Sequence, residues 1–174
     1  VFNLMLTLFS IGIGSGSVLC AKLSHRRLNL GWVAVGTVGM AIFGLLLVAL
    51  VHGTHYHEYS GIGSFLLRGE AYAVMLCIVL LGFCGGFFSV PLYTWLQTAS
   101  SEEFRAHAIA ANNIINGLFM VAAALLSAIL LWLFDSINLL YLIVAAGNIV
   151  VLVYLLKIAP PIREGWQRWF GKEE

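Results

Sequence analysis

Residues 109–134 read IAANNIINGLFMVAAALLSAILLWLF, without one Asp, Glu, Lys or Arg. A helix crossing a hydrocarbon core about 30 Å thick needs about 17–25 such residues, because each adds about 1.5 Å. This stretch is long enough to cross. It is also continuous, whereas a barrel strand would be about ten residues of alternating polarity. Outward from it, the nine basic and eight acidic residues all fall in 22–27, 58–70, 102–105, at Asp135 and in 157–174. Four more charge-free stretches lie between those clusters, with apolar parts at about 1–21, 31–51, 71–95 and 138–156. The chain is 61% hydrophobic and 10% charged, against about 45–50% and about 25% in soluble domains. That excludes a water-soluble globular protein.

The expected fold is therefore an all-α integral membrane bundle of five transmembrane helices, with residues 1–157 as the half-bundle and 158–174 as a tail. Val1 already stands inside an apolar run with no basic segment before it, which reads as the internal start of a longer protein. Transporters are commonly built from repeated helix sets. Five spans fit the last five of a six-helix half, whose partner, the N-terminal half, is missing.

Short loops rich in Lys and Arg stay in the cytoplasm. With alternating connectors, Lys22, Arg26, Arg27, Arg105, Lys157, Arg163, Arg168 and Lys172 share one side, and only Arg68 lies on the other. This bias places 22–30, 96–108 and the C-terminus inside. Trp32, Tyr72, Tyr93, Trp95, Trp132, Tyr141 and Tyr154 fall near span ends, where amphipathic rings meet the head groups. In the tail, Pro160 and Pro161 precede Trp166, Trp169 and Phe170 at helical spacing. Two readings stand there, a short helix on the cytoplasmic surface or a plain linker.

Gly12-Ile13-Gly14-Ser15-Gly16-Ser17 sits inside an apolar span, where small residues let helices approach closely. A phosphate-cradling loop would need a strand before it and water around it. The segment His52-Gly53-Thr54-His55-Tyr56-His57-Glu58 reads as a solvated connector rather than a metal site. Cys20, Cys77 and Cys84 read as small packing residues, and Cys77 and Cys84 are about 10 Å apart along one helix, beyond disulfide reach.

Gly82, Gly85, Gly86 and Pro91 should weaken and kink the third span, either as a packing accommodation or as a gating bend. Asn112, Asn113 and Asn116 make a polar patch on the fourth span. Amides facing lipid cost about 1–3 kcal/mol each, so the patch faces other helices or a cavity. It serves either as interhelical glue or as a substrate lining. No span interior holds an ionisable acidic or basic residue, so no proton relay is carried here. No nucleophile, base and orienting group stand together as an enzyme requires. Nothing calls for a cofactor or a nucleic-acid partner.

Residues 85–97, GGFFSVPLYTWLQ, and 105–120, RAHAIAANNIINGLFM, resemble the lysophospholipid transporter family of the major facilitator superfamily. Some members of that family are fused to an acyltransferase. The resemblance implies that the five spans are the eighth to twelfth helices of a twelve-helix transporter. It implies that the first, third and fourth spans line the cavity, while the second and fifth face lipid. Arg26 and Arg27 match the arginine pair of the superfamily's basic gating loop, whose acidic residue is replaced by Cys20, Ala21 and Lys22.

The expected function is movement of lysophospholipid across the inner membrane, with Gly85, Gly86, Ser89, Pro91, Asn112, Asn113 and Asn116 in the cavity. The alternatives are another amphipathic or polar solute, or a membrane anchor for a fused acyltransferase domain.

Overall fold

The computed structural model describes residues 1–24, 30–52 and 69–158. Arg26, Arg27, the His-rich loop from Gly53 onward and the tail from Ala159 onward lie outside the described residues. Five helices make up the described chain: α1 (Phe2–Leu23), α2 (Gly31–His52), α3 (Gly69–Ala99), α4 (Glu102–Phe134) and α5 (Ile137–Ile158). Each is long and apolar enough to cross a membrane.

α3 and α4 run past the apolar stretches that announce them, to 31 and 33 residues. Membrane thickness limits the apolar run, but the helix itself continues for as long as the backbone is supported. Glu102 and Glu103 occupy the first turn of α4, where negative charge favours the helix dipole. Arg105 ties that turn back to α3, its Nε donating 2.9 Å to the Gln97 carbonyl.

α4 stops at Asp135, whose φ of 46° is left-handed, a conformation Asp tolerates better than most residues. Ser136 then starts α5, its hydroxyl oxygen accepting from the Leu139 N–H at 3.3 Å. Two residues therefore suffice to reverse the chain.

In lipid, apolar side chains gain little by hiding from their surroundings, so helices are held by close packing and by hydrogen bonds. α1 and α3 use the first means. A Cβ on Gly12 would strike the Val79 carbonyl, one on Gly16 the Phe83 carbonyl, and one on Gly82 the Phe9 carbonyl. With hydrogen in its place, each Cα–H points at a carbonyl oxygen, a contact worth about 0.5–1 kcal/mol. The register rises on both helices, Phe9 to Gly82 and Ser17 to Gly86. α1 and α3 are parallel, as alternate spans must be.

α2 runs antiparallel to α3: Gly36 abuts Phe88, while the Cys77 thiol reaches the Phe43 carbonyl at 3.1 Å. On its other side α2 meets α5, where the Asn148 amide donates to the Thr37 carbonyl at 3.2 Å. The Thr37 hydroxyl, fully buried, donates to Val33 O at 2.7 Å. Leu30, Val33 and Ala34 form a core with Phe88, Leu92, Leu152, Leu155 and Leu156. α2 is thus inserted between α3 and α5. Ile42, Leu45 and Leu46 remain exposed on it.

α4 stands apart from this block, because none of its residues is buried. Trp132 is 83% exposed and Met120 73%.

Candidate functional site

Ser89, Leu92, Tyr93 and Leu96 follow the i, i+3, i+4, i+7 spacing that places side chains on one face of a helix. On α4, Asn112 and Asn116 are one turn apart and share a face in the same way. The two faces meet across a groove of about 380 Å³, flanked by Phe88 and Trp95. That volume lies within the range of about 300–1,000 Å³ typical of small-molecule sites. One hydrogen bond bridges it: Asn116 Nδ2 donates to Tyr93 Oη at 3.2 Å.

Phe88, Leu92, Trp95 and Leu96 supply the apolar wall, while Ser89, Tyr93, Asn112 and Asn116 supply hydroxyls and amides. None of these residues carries a formal charge at neutral pH. No His, Asp, Glu or Lys lines the groove beside Ser89, so among the described residues nothing there activates a nucleophile. The arrangement can bind and orient a molecule with a polar and an apolar part.

The residues expected from sequence divide. Ser89, Asn112 and Asn116 line the groove. Gly86 is buried against Ile13 and Ser17 of α1. A Cβ on Gly85 would lie 4.0 Å from Ile13 Cγ1 and Met40 Sδ, facing α1 and α2. Pro91 is buried within α3. As proline has no N–H, the Phe87 carbonyl lacks its usual helical donor. Asn113 is exposed and stays off the groove, because one step along a helix turns the side chain by about 100°. Phe88, Leu92, Tyr93, Trp95 and Leu96 join the site through the α3 periodicity, the signal that could have found them.

Comparison with protein families adds one decisive observation: the family model described as Major Facilitator Superfamily matches residues 1–170. The chain belongs to the Major Facilitator Superfamily. No curated protein and no solved structure matches it. As a major facilitator it is a multi-pass membrane protein and a secondary transporter, and members of the superfamily are generally not enzymes.

Proposed function

We propose that this major facilitator moves lysophospholipid across the inner membrane by alternating access, and that the α3–α4 groove is the part of its path formed by this chain. The observation carrying the proposal is the division of the groove, with Asn112, Asn116, Ser89 and Tyr93 polar and Phe88, Leu92, Trp95 and Leu96 apolar. A single-chain lipid has the same division. Its polar part hydrogen-bonds the amides and hydroxyls, and its acyl chain lies along rings and leucines.

The exposed apolar surface of α4 supports a second wall, which we assign to an N-terminal half of the same transporter. With the basic loops inside, the C-terminus faces the cytoplasm. Residues 85–97 and 105–120, where the resemblance to lysophospholipid transporters lies, run through both walls of the groove.

The test is uptake of labelled lysophospholipid by spheroplasts with and without the intact gene. We expect uptake that depends on the gene and is competed by unlabelled lysophospholipid but not by free head group. Equal uptake in both strains would remove lysophospholipid as the substrate.

A further inference from the structure

We infer that Tyr93 and Asn116 together form a hydroxyl-recognition pair, and that the hydroxyl they take is the free glycerol hydroxyl that separates a monoacyl glycerophospholipid from its diacyl parent. The inference rests on the function proposed above and names the feature of the substrate that the groove selects.

Asn116 Nδ2 donates to Tyr93 Oη across the groove at 3.2 Å. That bond consumes one amide proton and one phenolic lone pair. The Tyr93 O–H and the second Nδ2 proton remain as donors and Asn116 Oδ1 as an acceptor, and none of them bonds a described residue. Turning the amide over leaves the same inventory, because Oδ1 then accepts from the phenol while Nδ2 and an Oη lone pair stay open. In either arrangement the pair presents at least one donor and at least one acceptor on neighbouring atoms.

A hydroxyl complements that pair with both of its functions, donating once and accepting once. A phosphate oxygen only accepts and an ammonium only donates, so each leaves half of the pair unmatched. Charge points the same way. No Asp, Glu, His, Lys or Arg is among the residues that line the groove. With no cation in its lining, this groove suits the glycerol hydroxyl and the chain beside it better than the phosphate. An acylated oxygen has lost its proton, so it cannot donate to the pair. A substrate hydroxyl thus gains a donor and an acceptor contact at this pair that a deoxy analogue cannot make.

The experiment reconstitutes the intact gene product in liposomes and compares initial transport rates of a monoacyl glycerophospholipid and its deoxy counterpart, which lacks only the free hydroxyl. Wild type should favour the hydroxyl compound about tenfold or more, each decade corresponding to about 1.4 kcal/mol. Tyr93→Phe keeps the ring and removes the donor, so the ratio should fall to about twofold or less. Loss of fold alone lowers both rates and leaves the ratio unchanged.

A wild-type ratio near one overturns the inference and leaves lysophospholipid transport standing. A wild-type ratio retained in Tyr93→Phe also overturns it. Transport of neither compound overturns the proposed function and this inference with it. Should Tyr93→Phe not purify as a monodisperse protein, Asn116→Leu enters the same comparison with the same outcomes.

Discussion

Gly16 on α1 lies against the carbonyl of Phe83 on α3 so closely that a single methyl group has no place between them. Gly14, two positions earlier, has no atom within 4 Å of where its Cβ would stand. One run of glycines thus contains both a backbone contact and an open surface.

Gly16→Ala should force the two backbones apart and lower stability by about 1–3 kcal/mol, the usual cost of overpacking. Gly14→Ala should raise it by about 0.5–1 kcal/mol, because alanine is the better helix former. Thermal unfolding of the purified protein in one detergent measures both. Equal effects would mean that the α1–α3 contact is not as described.

Asn148 donates to the Thr37 carbonyl between α5 and α2. Asn148→Leu should therefore destabilise the protein by about 0.6 kcal/mol, with about 1.7 kcal/mol as the upper end for such bonds in membranes. A leucine variant more stable than wild type in the same unfolding assay would count against this bond as a clamp.

Asn116 and Asn113 differ in position rather than chemistry. Asn116→Leu should reduce transport about tenfold, a loss of about 1.4 kcal/mol, while the folded fraction stays near normal. Asn113→Leu should reduce it less than about threefold, because Asn113 lies off the groove. Reversal of that order in transport per folded molecule would move the site to another face of α4.

The topology is open to thiol labelling. In a cysteine-free background, single cysteines at positions 24 and 100 should be protected from an impermeant reagent in intact cells, and one at position 60 should react. The contact registers place the C-terminal ends of α1 and α3 at the same end of the bundle, so positions 24 and 100 must behave alike. Opposite behaviour at those two would contradict the parallel α1–α3 pair.

The five helices are legible because absence of charge over some twenty residues is a property of each segment alone. Their ends are less so. Glu102 to Ala108 looks like a loop by polarity, yet it is the first two turns of α4. The site is half legible for a related reason. Asn112 and Asn116 stand out as amides in an apolar run, but Tyr93 and Trp95 look like ordinary interface aromatics until α3 is known to turn them toward α4. Gly86 and Ser89 are only three residues apart, and nothing in the sequence says that one meets α1 and the other the groove. That assignment depends on the register between helices, which only the assembled bundle contains.

The glycine contacts make α3 part of one close-packed body with α1, while α4 joins it through the short link at Ser100 and Ser101 and two side-chain hydrogen bonds, with none of its residues fully buried. The groove is therefore like a vice with one jaw set by backbone contact: Tyr93 belongs to the α1–α3 frame and Asn116 to the more loosely packed helix. The width of the groove is thus the distance at which α4 stands from a helix whose own place is set by backbone contact, and Asn116 to Tyr93 is the bond that spans it.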